Sequence, residues 1–196
     1  NTERMISRTH DLGVRLRPHV KTHKCVEAAR YQVGNHFGGI AVSTLAEAEH
    51  FAAGQFSDIT YAVPIAPGRV AHAVSLAQRL NRLNLLVDDP AVIHMLSAQS
   101  ILKGVTINVL VKVDCGYHSA GLLPDDPRLV DLARKIQAAP GLVFDGILTH
   151  AGHSYDCVGV DAIGVVAEEE RSKAVAAADI LRSAGLSVST VSIGST

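Results

Sequence analysis

Residues 14–24, VRLRPHVKTHK, are the stretch on which the reading of the fold turns. With a period of two, Val14, Leu16 and Val20 share a face with Pro18, and Arg15, Arg17, His19, Lys21 and His23 share the other. In a strand, side chains on one face stand about 6–7 Å apart. Residues 14–21 therefore read as a first strand with an apolar back and a basic front. A packed interior does not hold such a row of cations unpaired, so the front points to an anionic ligand. Lys21 lies between two histidines, and crowding by cations disfavours its ammonium form. A lysine in that setting serves as a Schiff-base nucleophile at neutral pH. The alternative is an edge strand whose Lys and Arg guard against aggregation. The HxxxH spacing of His19 and His23 suits two zinc ligands only on a helix. Pro18 and the β-branched neighbours oppose a helix, and no Glu follows His19.

Outward from this stretch, apolar runs and helical patterns alternate to the end of the chain. Strands are expected at 39–42, 59–65, 84–87, 105–114, 144–150 and 189–193. Helices are expected at 3–11, 25–33, from Thr44 to Gly54, and at 69–80, 90–102, 127–138 and 161–184. Thr44 with Glu47 three residues on is a capping box, and Asp88 or Asp89 precedes the helix that Pro90 starts. Strand–helix alternation means a parallel sheet with right-handed crossovers. A doubly wound sheet would show a glycine fingerprint after its first strand, and none follows KTHK. A (β/α)8 barrel takes about 250 residues. About seven βα units in 196 residues fit an incomplete (β/α)8 TIM-type barrel. The polar residues gather at strand carboxyl ends, where barrel sites lie.

A content of 47% hydrophobic and 19% charged residues describes a globular chain rather than a disordered one. The net charge of −1 argues against non-specific nucleic-acid binding. The apolar runs are too short for a membrane span. Three scattered cysteines, Cys25, Cys115 and Cys157, form no CxxC pair and suggest a reducing compartment, the cytoplasm. The chain starts without Met and stops where a strand meets its next loop, so a fragment of a longer protein is expected.

Three further constellations carry chemistry. VDCGYHSAG (113–121) ends a strand in Asp114 and offers Tyr117 and His118 to a ligand; a plain loop is the alternative. THAGHSYD (149–156) concentrates His150, His153, Ser154, Tyr155 and Asp156 after a buried strand. His150 and His153 could serve as acid and base or bind a metal. Gly194, Ser195 and Thr196 form a small-residue turn whose backbone N–H groups and hydroxyls suit a phosphate. The run Glu168–Glu170 reads as a solvated helix face, and His10, His36, His50, His72 and His94 show no partner pattern.

Taken in order, RPHVKTHK, VSTLAEAE, VDCGYHSAG, THAGHSYD and VSIGST resemble the D-threonine aldolase / D-serine dehydratase family over nearly the whole chain. The resemblance implies a pyridoxal-phosphate lyase of D-β-hydroxy-amino acids with an alanine-racemase-like barrel of fold type III. It implies that Lys21 forms the Schiff base, with Lys24 the alternative off the basic face. It places His150 against the pyridine ring, and Gly194, Ser195 and Thr196 on the phosphate. Tyr117 and His153 would border the substrate pocket, and His19 would lie beside the cofactor. It also implies a divalent metal of zinc or manganese type, bound by a His and a Cys of a β-rich domain beyond residue 196, and a homodimer. Ser119 stands where alanine racemases commonly carry an Arg toward the cofactor's phenolic oxygen, so either another group supplies that charge or the activity is altered. Aldolase and dehydratase are not separated by these residues. An amino-acid racemase and a non-catalytic pyridoxal-phosphate homeostasis protein are the other readings.

Overall fold

The computed structural model describes residues 1–34 and 38–194. Its helices are α1 (Thr2–Asp11), α2 (Val26–Val33), α3 (Leu45–Ala53), α4 (Val70–Ala77), α5 (Ala91–Lys103), α6 (Arg128–Ala138) and α7 (Val160–Ser183). Its strands are β1 (Ile40–Val42), β2 (Asp58–Pro64), β3 (Arg82–Val87), β4 (Ile107–Lys112), β5 (Leu142–Leu148) and β6 (Thr190–Ser192). All strands pair in parallel in the order β1-β2-β3-β4-β5-β6, curled as a half-barrel. Sequential order with a helix after each strand is the barrel arrangement.

The two sheet faces differ in chemistry. The outer face carries Ile59, Leu83, Leu85, Val87, Val109, Val111 and Ile147, which join one core with the helices. The inner face holds a separate small cluster, Leu86, Leu110 and Leu148. Burial on both faces makes the strands read as continuous apolar runs. Local signals place the helices. Thr44 Oγ1 accepts from Glu47 N–H at 3.1 Å, and Glu47 Oε2 accepts from Ser43 and Thr44 N–H at 2.8 and 3.2 Å, so the expected capping box forms. Asp89, not Asp88, turns the chain into α5, accepting from Ala91 N–H at 2.8 Å. A bulge in β5 follows Phe144. It makes Asp145 the extra residue and lets its carboxylate reach Arg82 and Thr190. Gly146 next to it has φ +141°, and a Cβ there would collide with the Thr190 backbone oxygen.

The first expected strand takes a different form. Residues 14–18 are not strand, and the stretch meets the sheet at one bridge, His19 opposite Ala41. Ala41 N–H donates to Pro18 O at 2.9 Å, and Val20 N–H donates to Ala41 O at 3.0 Å. Pro18 has no N–H for a ladder, and residues 21–23 turn, with Lys24 at φ +49°. The single basic front therefore does not exist. Arg17 pairs with Asp58 at 2.8 Å at the foot of the sheet. His23 Nδ1 accepts from Cys25 N–H at 3.1 Å while its Nε2 meets Gln32 Oε1 at 2.9 Å. Lys24 pairs with Glu47 at 3.3 Å. Only His19 and Lys21 remain for the carboxyl end of the sheet.

Candidate functional site

The carboxyl ends of the strands bring together His19, Lys21, Ser43, Lys112 and His150, with Glu170 of α7 behind them. Lys21 follows the His19 bridge and is exposed, and no side-chain partner meets its Nζ among the described residues. His19 Nδ1 accepts from the Lys21 backbone N–H at 3.3 Å, and its Nε2 lies 3.2 Å from Ser43 Oγ. That pattern fixes a neutral tautomer with the proton on Nε2. Burial lowers the His19 pKa to about 4, with Lys21 and His150 acting in the same direction against the pull of Glu47.

His150 leaves β5 two residues after Leu148 and its Nδ1 lies 3.5 Å from Gly194 O. Its pKa is also lowered, first by burial and then by Lys112 and Lys21, against the Gly194 carbonyl and Glu170. Both imidazoles are thus neutral bases or acceptors near neutral pH. Lys112 sits two residues beyond Leu110 on the inner face of β4 and is 5% exposed. Burial pushes its pKa down, opposed by Cys115, Glu170, Asp114 and Asp88. No hydrogen bond or ion pair closes on its Nζ among the described residues.

The two loops beyond form the wall of the mouth. Asp114 shapes the first, accepting from Gly116 N–H at 2.9 Å, His118 N–H at 3.0 Å and the His118 ring at 2.8 Å. Its burial would raise its pKa, but these donors outweigh that and hold it low. His118 is therefore engaged with Asp114. Tyr117 packs its ring on Gly152, where a Cβ would collide with it. Tyr117 meets His150 edge-on at 6.0 Å and stacks on His153 at 6.2 Å. His150 in turn lies 5.9 Å from the Tyr155 ring. His153 sits behind Tyr117, with both ring nitrogens buried and without a hydrogen bond among the described residues. Its nearest charged neighbour is Glu169, at 3.9 Å.

The expected site residues thus fall into three groups. Lys21, His19 and His150 converge, Tyr117 and His153 flank them, and Gly194 adjoins His150 through its carbonyl. Ser195, Thr196 and His36 lie outside the described residues. His72 does have a partner, Glu49 at 2.9 Å. Sequence reasoning missed two residues. Lys112 had a signal, a lone lysine in phase with Leu110 on an apolar strand. Glu170 was taken as solvated, yet it is 3% exposed and follows Val166 and precedes Ala174 on the buried stripe of α7. Its Oε1 accepts from Thr149 Oγ1 at 2.7 Å and Gly194 N–H at 3.2 Å. Glu168 and Glu169 do face outward, paired with Arg171 and Lys173 at 2.6 Å each.

The residues present suit an anionic carbonyl cofactor. One amine is exposed and unpaired, a second is buried and unpaired, and two neutral imidazoles stand beside them. For a metal the donors do not fit, since no three His, Cys, Asp or Glu side chains converge among the described residues. Among the described residues no helix is long and apolar enough to cross a membrane.

The chain is 42% identical to the D-threo-3-hydroxyaspartate dehydratase of Delftia sp. across 100% of its length and 52% of that protein. The solved structure of that dehydratase superposes with a TM-score of 0.92 over the same shares of the two chains. A D-serine dehydratase of Dictyostelium discoideum is 38% identical over 100% of this chain and 52% of its own. The crystal structure of a D-threonine aldolase from Filomicrobium marinum matches at 28% identity and a TM-score of 0.90, covering 98% of this chain and 52% of that one. The chain spans about half the length of the relatives it matches. The family model for the alanine racemase N-terminal domain matches residues 1–196, and the chain belongs to that family.

Proposed function

We propose that this chain is the cofactor-binding part of a pyridoxal-phosphate-dependent lyase of D-β-hydroxy-amino acids. The observation that supports it most is the placement of Lys21. Its amine is exposed and unpaired, within the electrostatic reach of the neutral imidazoles of His19 and His150. The relatives named above are dehydratases and an aldolase of such amino acids.

In this reading Lys21 would hold the cofactor through its Nζ, His150 and Tyr117 would adjoin its ring, and Gly194, Ser195 and Thr196 would take its phosphate. Lys112 supplies the positive charge that Ser119 cannot. When bound, pyridoxal phosphate supplies an electron sink for charge developing at the substrate's α-carbon. The chain's own groups move the protons. In a dehydratase, Lys21 Nζ or the His150 imidazole takes the α-proton and the β-hydroxyl leaves as water. In an aldolase, His150 or His153 takes the β-hydroxyl proton as the Cα–Cβ bond breaks. Near neutral pH both His19 and His150 are unprotonated, as a base must be. A divalent metal of zinc or manganese type belongs to the proposal with ligands outside this chain, and no step is derived from it.

The test is product analysis with D-threo-3-hydroxyaspartate, D-serine and D-threonine. A 2-oxo acid with ammonia identifies a dehydratase, and glycine with an aldehyde identifies an aldolase. Neither product from any of the three, with inversion of the α-carbon instead, would overturn the lyase reading in favour of a racemase.

A further inference from the structure

We infer that Glu170 is a positioning residue for the phosphate end of the cofactor, an inference that rests on the function proposed above. Its carboxylate sits where three elements meet. Oε1 accepts from the Thr149 hydroxyl at the end of β5 and from the Gly194 N–H after β6, while the residue itself belongs to α7. Thr149 is buried at 2% exposure and adds a backbone bond, N–H to Ser192 O at 2.9 Å. The two strand ends are therefore tied together one residue before His150 and one residue before Ser195.

This arrangement changes what Gly194 can do. Its N–H is already committed to Glu170, so it offers a phosphate close approach rather than that donor. Its carbonyl faces His150 Nδ1 at 3.5 Å. One buried carboxylate thus orients Gly194 so that N–H points back to α7 and the carbonyl points to the imidazole. Without this acceptor the buried Thr149 hydroxyl would keep only the longer contact to Ser192 O at 3.5 Å, and the exposed Gly194 would lose its N–H bond. Gly194 would then no longer be held to α7. Glu170 is also the anion that faces Lys112, His150 and Cys115 from α7, while Asp114 and Asp88 face Lys112 from the strand ends. The carboxylate therefore balances the cations of the mouth without ion-pairing to them directly.

The experiment compares binding of pyridoxal phosphate and of pyridoxal, which lacks the phosphate, by the visible absorbance of the lysine-bound cofactor. It uses the purified protein and the variants Glu170→Ala, Glu170→Gln and Thr149→Val, with thermal unfolding of each as a check on folding. We expect Glu170→Ala to weaken pyridoxal phosphate binding about tenfold, the size expected for a hydrogen bond to a charged acceptor. Pyridoxal binding should fall by a clearly smaller factor, through the Gly194 carbonyl contact to His150 alone. Glu170→Gln, whose amide oxygen can still accept both bonds, should recover most of the loss. Thr149→Val, which removes one bond and keeps the volume, should show the same phosphate-selective loss in smaller degree and serves alone if Glu170→Ala does not fold. Equal losses for both ligands, or no loss in any variant, would overturn the inference. Absence of binding by the unmutated protein would instead overturn the proposed function.

Discussion

The foot and the mouth of this half-barrel are built from the same residue types and use them in opposite ways. At the foot every charge named here is met. Arg17 pairs with Asp58 at 2.8 Å, and Arg82 meets Asp145 at 2.7 Å and Asn84 at 2.9 Å. Thr190 donates to Asp145 at 2.8 Å, and Asn84 donates to Thr60 at 2.9 Å. At the mouth Lys21 and Lys112 have no such partner among the described residues, and burial keeps His19 and His150 neutral. A satisfied network is structure, whereas unpaired cations facing one opening call for something to be added. The basic stretch 14–24 spans both regions, which is why its residues divide between the two roles.

The comparison breaks most visibly at the foot. Asp145→Ala leaves Arg82 short of its carboxylate and Thr190 without its acceptor in a largely buried place. A loss of about 3 kcal/mol of stability is expected, read as a shift of the denaturant midpoint at constant slope. Cofactor binding by the folded fraction should be unaffected. A loss under about 0.5 kcal/mol, the range of an ordinary surface change, would show that the foot is not the structural ring described.

An effect confined to acid pH is expected from His19, which belongs to the mouth. Its pKa is about 4 when folded, against the ordinary 6.5 of a solvated imidazole in the unfolded chain. Between those values the unfolded chain binds the proton that the folded chain refuses. Stability is therefore full above about pH 6.5 and falls as pH drops toward about 4. Denaturant titrations across that window should show the decline, and His19→Gln should flatten it. An unchanged slope in the variant would remove His19 from the account.

Much of this was legible in the sequence, for reasons that differ by residue. The parallel order of the strands follows from strand–helix alternation, and α3 starts where Thr44 and Glu47 require. The first strand was misjudged because period-two alternation was present while Pro18 and the turn at 21–23 withheld the ladder. Lys21, His19 and His150 stand out in the sequence because basic and imidazole groups at strand ends are rare without cause, and the structure brings them to one end of the sheet. Glu170 was hidden in a run of three glutamates. Only its phase with Val166, Ala174 and Ala178 on one helix stripe distinguishes it. Lys112 was hidden in the opposite way, as the polar end of an apolar strand. That His19, and not the whole basic row, forms the backbone bridge to the sheet depends on backbone geometry that no side-chain pattern states.

Smallest in stability, and sharpest for function, is Lys21. Lys21→Ala should change the unfolding free energy by under about 0.5 kcal/mol, since the side chain is exposed and holds nothing. The measurement that tests the central claim most directly uses the same pair of proteins. Each is incubated with pyridoxal phosphate, reduced with borohydride, digested and mapped by mass. The account predicts one stable phosphopyridoxyl adduct on the peptide carrying Lys21, absent from Lys21→Ala while the variant stays folded. An adduct on Lys112 or Lys24 instead, or none on the folded unmutated protein, would contradict it.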